Sequence, residues 1–405
     1  MSTDIFISRQ PVFDVNERVR GYTLAYDGLS AYRTRREEPE RLIVDAFLGV
    51  GLEKVTNGLP AFLEVSRSML VGGLVELLDP THVVVELPAT DSWDPDIGES
   101  AARLKSAGYR LTVPILRPDE PDGPLFRMAD YLKVDVSARS ASDVIEIARR
   151  FAGRGAQLLA ANVPNRSTRD ACTELGFNLF HGFAYTAPEM LATRDLAIDH
   201  LRTFQLMRQI RDLEVTDPEI EAAFRTDVSL SYKLLRMVNS AAVGARGIQS
   251  IAHALRLLGR DALYRWLALL LLSSVGEEGV KAELVHTALL RARLCELISP
   301  RIATPADPDA SYIVGLLSVL DVLLETPMAQ LLSHMDLADD VREALVERAG
   351  ILGQLLGLVE AYDLGQWDQV GELCATLKLP AADLAARYLQ ALNWANEQIV
   401  ALRAD

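Results

Sequence analysis

The stretch Tyr131-Leu-Lys-Val-Asp135 is a short, β-rich apolar run with helical stretches on either side of it. Strands that alternate with helices favour right-handed βαβ crossovers, and these build a parallel sheet. The decisive observation is that this run is one of a series. Similar runs lie at Ala61–Val65, His82–Leu87, Tyr109–Val113, Gln157–Ala160 and Leu179–Phe183.

This series, which extends from Ile5 to about Tyr185, predicts an α/β domain folded as a (β/α) barrel of the TIM type, complete or reduced. In such barrels the functional residues lie where the strands end and the loops begin. The residues that close each apolar run are therefore the first candidates for a site.

The strand signals stop after Thr193, and the remaining sequence predicts helices only. Thr216-Asp-Pro-Glu219 has the pattern of a capping box with proline in the first helical turn. Gly259 is a predicted helix stop. We therefore predict two domains, a barrel over residues 1–193 and an all-helical domain over residues 198–405, without a long flexible linker between them.

Composition excludes several classes of protein. The net charge of −15 argues against a phosphate-backbone surface, which needs clustered Lys and Arg. Three widely spaced cysteines provide neither a disulfide framework nor a short-spaced zinc site. The most apolar stretch, Trp266–Val275, is too short to cross a bilayer, and the first ten residues lack a secretory pattern. We expect a cytoplasmic protein that binds neither nucleic acid nor membrane.

The first half resembles the EAL phosphodiesterase family in the order and spacing of its motifs. The resemblance implies a metal-dependent barrel that hydrolyses cyclic di-GMP, in which carboxylates at the strand ends hold divalent cations. The motifs that carry it are Ser8–Asp14, Gly21–Tyr26, Val83–Leu87, Tyr131–Asp135 and Leu179–Phe183.

Matched position by position, the implied metal ligands are largely replaced. The glutamate of the EAL tripeptide falls on Thr23, and the arginine that follows it falls on Asp27. An asparagine ligand falls on Glu64, and of a glutamate pair only Glu86 survives, because the second is Ala89. A carboxylate at Asp27 removes a phosphate partner and repels the nucleotide.

Later positions depart further. The paired aspartates of the family fall on Pro114 and Ile115, and a glutamate falls on Ala161. The family's lysine is kept as Lys133, and the glutamine of the last strand becomes His181. We therefore expect no catalytic residue, no metal and no other cofactor. The degenerate pocket positions are Gln10, Thr23, Asp27, Glu64, Glu86, Lys133, Asp135 and His181, of which Glu86, Lys133 and Asp135 are expected to form a structural ion-pair cluster.

The second half resembles the HDOD family over Phe224–Ser240 and Ile248–Gly259. HDOD domains look like HD-type phosphohydrolases without their metal dyad, and here Ser318 and Val319 stand at the positions of that dyad. His286 alone cannot assemble a metal site, so we interpret it as a hydrogen-bonded helix histidine. The order of the two halves resembles the YuxH-type EAL-HDOD signalling proteins.

Three functional hypotheses remain at this point. The first is a non-enzymatic signalling protein that binds another signalling protein, which by family analogy is a diguanylate cyclase, a kinase or a response regulator. The second is a metal-independent cyclic di-GMP receptor, which needs a basic patch near Lys133, for instance from Arg67 or Arg117. The third is a weak phosphodiesterase with a cation held by Glu64 and Glu86. The sequence leaves monomer and homodimer open.

Overall fold

A computed structural model describes residues 5–28, 51–89, 94–120, 123–151, 153–182, 198–238, 250–274 and 279–403. Within these ranges the first half is a closed barrel of eight strands, joined in chain order. The strands are β1 Ile5–Asp14, β2 Val19–Gly28, β3 Ala61–Glu64, β4 Val83–Glu86, β5 Arg110–Pro114, β6 Tyr131–Asp135, β7 Gln157–Ala161 and β8 Leu179–His181. The predicted barrel and its six apolar runs are therefore confirmed.

The six predicted runs pair in parallel, as expected, and one antiparallel strand that was not predicted completes the sheet. Strands β2 to β8 pair in parallel, but β1 runs antiparallel to both of its neighbours. The physical reason is the tight turn between Asp14 and Val19, because a short turn can join only antiparallel strands. The barrel is also complete rather than reduced.

Helices follow most of the barrel strands and cover the outside. They are α1 Leu52–Thr56, α2 Arg67–Val71, α3 Pro95–Ser106, α4 Pro124–Met128, α5 Ala141–Phe151 and α6 Arg166–Glu174. Inside the barrel a separate apolar cluster fills the lower part, with Val12, Phe62, Val84, Leu159, Ala161 and Leu179. Gly21 faces this cluster, and a Cβ there would lie 2.8 Å from the Phe62 ring, so only glycine leaves room for that side chain.

The second half is helical throughout its described residues. Its helices are α7 Ile198–Arg211, α8 Asp217–Arg225, α9 Val228–Val238, α10 Ile251–Ser273, α11 Gly279–Ile298, α12 Pro308–Leu317, α13 Leu320–Leu324, α14 Met328–Leu332, α15 Asp339–Glu347, α16 Gly350–Asp363, α17 Trp367–Leu377 and α18 Ala381–Arg403. The predicted capping box of Thr216 and Glu219 is present. Gly259 interrupts α10 with a non-helical backbone, φ 74° and ψ 168°. This agrees with its prediction as a helix stop. The predicted join near residues 187–200 lies mostly outside the described residues.

The helical half packs on one particular strand of the barrel. Strand β1 pairs with β8 only over Val12–Asp14, so among the described residues no strand lies beside Ile5–Pro11 on that side. Helices α11, α16 and α18 lie against β1. The Ile7 amide on β1 donates to the Tyr362 hydroxyl of α16 at 3.3 Å. An exposed strand edge is a site for unwanted pairing, and here the helices cover it.

Candidate functional site at the barrel mouth

The pocket positions predicted from the sequence lie on the inward side of the strands. Successive side chains of a strand point to opposite faces, so residues two apart share a face. Glu64, Glu86 and His181 each stand two residues beyond a member of the interior apolar cluster on the same strand, and so share its face. The register sets Thr23 beside Gln10, Glu64 beside Glu86 and Asp135 beside Ala161. These residues therefore meet at the barrel mouth. Asp27 lies on β2, but its side chain is outside the described residues.

Glu86 and Lys133 form a largely buried ion pair across the mouth. The Lys133 Nζ donates to Glu86 Oε1 at 2.6 Å, and the two side chains are 20% and 7% exposed. Burial raises the pKa of Glu86, and the neighbouring Glu64 adds to this, while Lys133 opposes both. The charge of Glu86, the carboxylate that matches a family ligand, thus depends on Lys133.

Replacing Lys133 with methionine is expected to lower the free energy of unfolding by about 2–3 kcal/mol at pH 8, because Glu86 stays buried without its partner. The cost should shrink toward pH 5. Burial raises the pKa of Glu86 in the folded state, so the folded variant keeps a proton that the unfolded chain has released, and its stability falls as the pH rises. Urea unfolding at both pH values measures this.

The matched control is Lys105→Met, since Lys105 pairs with Asp130 but both side chains are about a third exposed. An ion pair this exposed contributes no more than about 1 kcal/mol to the free energy of unfolding. An equal loss in both variants, or a loss for Lys133→Met that does not change with pH, would contradict a buried and pH-dependent pair.

Asp135 does not complete the expected cluster of three. Its carboxylate instead accepts hydrogen bonds from the Asn162 amide at 2.8 Å and from the Ser137 amide at 3.0 Å. Burial alone would raise its pKa, but the hydrogen bonds from Ser137, Asn162 and Ala138 together outweigh it and lower the pKa. Asp135 therefore shapes the turn after β6 as a charged hydrogen-bond acceptor.

His181 links the mouth to the helical half through Gln10. The His181 Nε2 lies 2.7 Å from Gln10 Oε1, and the Gln10 amide donates to the Asp363 carbonyl of α16 at 3.4 Å. Because the Gln10 amide nitrogen is turned toward that carbonyl, its oxygen accepts and His181 Nε2 donates. Burial, helped by the charge of Lys133, lowers the pKa of His181 to about 3. The ring is therefore neutral at neutral pH.

The residues at the mouth do not fit a two-metal centre. A hard divalent cation takes about six oxygen ligands. Thr23, Pro114 and Ala161 stand on other strands of the barrel at positions where the resemblance implies carboxylate ligands, and they bring none. Across the ranges described above, His, Cys, Asp and Glu nowhere assemble in a group of three that suits a metal.

The two arginines given as examples for the basic patch of a metal-free receptor both lie near carboxylates. Arg67 binds Asp94 at 2.6 Å and Asp96 at 2.5 Å. Arg117 lies 3.9 Å from Asp119. Each guanidinium thus has a carboxylate neighbour that would compete with a phosphate. The basic patch on which the receptor hypothesis depends is not formed by these side chains.

In the helical half, the positions of the lost dyad hold no metal-ligand pair. Ser318 donates to the Gly315 carbonyl at 2.8 Å, and Val319 is buried. Beside them the buried Arg291 donates to Asp363 at 2.8 Å and lies 3.4 Å from Glu360. The carboxylates of Asp363 and Glu360 therefore pair with the Arg291 guanidinium.

Comparison with known proteins agrees with this two-part organisation. Residues 201–345 match the HDOD domain family. Over 402 residues the chain is 27% identical to the uncharacterized protein YuxH of Bacillus subtilis, covering 96% of this chain and 98% of that protein. The chain thus matches the HDOD family in its helical half and resembles the EAL-HDOD proteins over nearly its whole length. It is also 29% identical over 400 residues to the cyclic di-GMP phosphodiesterase CdgJ of Vibrio cholerae, covering 97% of this chain and 92% of that protein.

Among solved structures, the Bacillus subtilis YkuI protein, which has an EAL domain in complex with cyclic di-GMP and calcium, is 15% identical with a TM-score of 0.37. That match covers 64% of this chain and 72% of the YkuI chain. In the part of the chain that the structure describes, no helix is both long and apolar enough to pass through a bilayer.

The sequence did not reveal the charged cluster between the two halves. Arg9 of β1 reaches His286 of α11, 277 residues away, and its guanidinium also donates to the Val55 carbonyl at 2.5 Å. His286 is buried and hydrogen-bonded, as predicted, with Asn396 at 2.8 Å. Arg9 stands inside the Ser8–Asp14 motif, but no local pattern tells which distant helix receives its side chain.

Proposed function

We propose that this chain is a signalling protein of the cyclic di-GMP network that does not hydrolyse the nucleotide and acts by binding another signalling protein. The observation that supports this proposal most directly lies at the barrel mouth. There Lys133 pairs with Glu86, the one carboxylate that matches a family ligand. A barrel that keeps its shape while its inward positions lose oxygen ligands retains a surface and a scaffold, but not the reaction chemistry.

Hydrolysis of a phosphodiester by this fold depends on cations that activate water and neutralise charge on the phosphate. Glu64 and Glu86 are adjacent in register and are the only pair of carboxylates among the described inward positions of neighbouring strands. Recruiting them to a cation would require Glu86 to give up Lys133, which lies 2.6 Å away. The resemblance to CdgJ supports a place in the same signalling network, while the residues at the mouth argue against the same reaction.

The partner proposed by family analogy is a diguanylate cyclase, a kinase or a response regulator, engaged through the helical half. The acidic net charge of −15 disfavours nucleic acid as the partner. A metal-independent receptor for cyclic di-GMP is the alternative, and the engaged side chains of Arg67 and Arg117 weigh against it.

Titration calorimetry of the full chain with cyclic di-GMP, with and without Mg²⁺, Mn²⁺ or Ca²⁺, tests the proposal. We expect neither saturable heat nor a linear dinucleotide product on chromatography of the mixtures, because the described residues of the mouth bring too few cation ligands and pair Lys133 with Glu86. A phosphodiesterase of known activity, run in the same buffers, is the positive control.

Two outcomes would contradict the proposal in different ways. Saturable binding without product would make the chain a receptor. Metal-dependent product that disappears in Glu86→Ala would make it a phosphodiesterase, and would show that the Glu86–Lys133 pair opens to accept a cation.

A further inference from the structure

One segment of the helical half differs in charge from the rest of this acidic chain. Residues 228–260, which we call the basic segment, contain no Asp or Glu, whereas the chain has 56 of them among 405 residues, about one in seven. The segment's basic residues are Lys233, Arg236, Arg246, Arg256 and Arg260. The basic segment is therefore positively charged in a protein whose net charge is −15.

The two helices of the basic segment, α9 and α10, pack against each other, and each has an exposed stripe. Buried residues at helical spacing fix the opposite face of each helix in the core. They are Leu230, Leu234 and Val238 on α9 and Ile251, Ala254 and Leu255 on α10. The exposed stripes hold Tyr232, Lys233 and Arg236 on α9 and His253, Arg256 and Leu257 on α10. Basic side chains therefore face solvent on two adjoining helices.

Elsewhere on the surface, basic side chains pair with acidic neighbours. Examples are the pairs Arg67–Asp94, Arg103–Glu76 and Arg211–Asp261. The basic segment contains no acid for such a pair, and Arg256 donates to the Ala252 carbonyl of its own helical turn at 3.2 Å. Arg260 finds its carboxylate, Asp217, outside the segment. The positive charge of the two stripes is therefore not offset within the segment.

Apolar side chains lie among these charges. Tyr232 is 62% exposed and Leu257 is 48% exposed. Protein interfaces combine aromatic and aliphatic anchors with charged side chains at the rim, so this mixture favours a protein as the partner. A nucleic acid or an anionic membrane extends its charge beyond the two helices, where the acidic remainder of the chain repels it. An acidic protein surface can be confined to the contact.

We propose that the exposed stripes of α9 and α10 form the surface through which this chain binds its protein partner, and that the partner presents an acidic surface with apolar side chains among its carboxylates. The carboxylates pair with Lys233 and Arg256, and the apolar side chains cover Tyr232 and Leu257. Opposite charges speed association and select the partner, while apolar burial adds affinity. This inference rests on the proposed function, because it names the surface and the chemistry of the partner proposed there.

Fluorescence anisotropy of the full chain with a labelled helical peptide, built from Glu with a stripe of Leu, tests this surface. We expect saturable binding at about 50 mM salt that weakens at about 300 mM salt, because salt screens the charges. The affinity should fall at least about tenfold in Lys233→Glu/Arg256→Glu, where like charges meet.

Two further variants separate the surface from net charge alone. Arg127→Glu/Arg149→Glu makes the same change in net charge at exposed arginines of the barrel helices α4 and α5, and it should bind the peptide like the parent. Tyr232→Ala should weaken binding at both salt concentrations, because it removes an apolar anchor. If Lys233→Glu/Arg256→Glu does not fold, Lys233→Gln/Arg256→Gln takes its place and should still weaken binding.

Four results would overturn the inference. They are the absence of saturable peptide binding, an equal loss in both double variants, tighter binding of a DNA duplex or phosphatidylserine vesicles through Lys233 and Arg256, and a dimer in sedimentation that these two residues maintain. The last would assign the surface to a second copy of this chain. A failure of the proposed function is distinguishable, because cyclic di-GMP binding or hydrolysis appears in the calorimetry whatever the peptide does.

Discussion

Replacing Arg9 with alanine is expected to lower the free energy of unfolding by about 3–5 kcal/mol. The guanidinium is buried against the Tyr22 ring, 4.2 Å from its centroid, and its side chain is 3% exposed. Its loss leaves Glu283 without its cation and the Val55 carbonyl without its donor. Urea unfolding at pH 7.5, followed by circular dichroism, measures the change.

Arg20→Ala is the matched control for this prediction. Arg20 also pairs with a carboxylate of β1, Asp14, at 2.8 Å, but its side chain is 60% exposed. Exposed pairs contribute about 1 kcal/mol or less. If the two variants lost similar stability, the cluster between the halves would be no more than a solvated ion pair, contrary to its burial.

The second large effect is expected at Gly315, where α12 crosses α11. A Cβ at this position would lie 2.5 Å from the Arg291 carbonyl oxygen and 2.6 Å from the Ala292 nitrogen, both backbone atoms. Gly315→Ala must therefore push the two helices apart, and we expect a loss of about 3 kcal/mol. The variant should also shift the Arg291 side chain away from Ser318, which it reaches at 3.3 Å.

Gly357→Ala provides a control with the opposite sign. Gly357 lies within α16, and no atom stands within 4 Å of its missing Cβ. Alanine there should raise stability by about 0.5–1 kcal/mol, because glycine is the poorer helix former. Thermal unfolding of both variants separates the two cases, and a stabilised Gly315→Ala would mean that the helices are not in close contact.

The barrel could be predicted from the sequence because its strands are short apolar runs with regular spacing, such as Gln157–Ala160, and this pattern is local. The direction of β1 was missed because the argument from alternating strands and helices applies to β2–β8 and not to the hairpin that precedes them. The pocket positions were taken from motif spacing, and the structure places them on barrel strands. Whether any of them binds a ligand stays a prediction.

Partners across the domain contact could not be predicted in the same way. His286 was expected to be hydrogen-bonded, which any buried imidazole must be. That its neighbours are Arg9 and Asn396 depends on how three helices meet one strand, and this packing leaves no periodic trace in the sequence. Asp135 was assigned to an ion pair from its charge alone, whereas the turn at Ser137 provides amide donors for it.

The stretch of β1 that has no described strand on its β8 side bears on how such two-part chains evolve. Helices α11, α16 and α18 pack against β1, and they belong to the second half of the same chain. A recombination that replaced the helical half would also replace the helices that cover β1. A swapped half should therefore cover β1 only if it brings contacts equivalent to those of Tyr362 and His286.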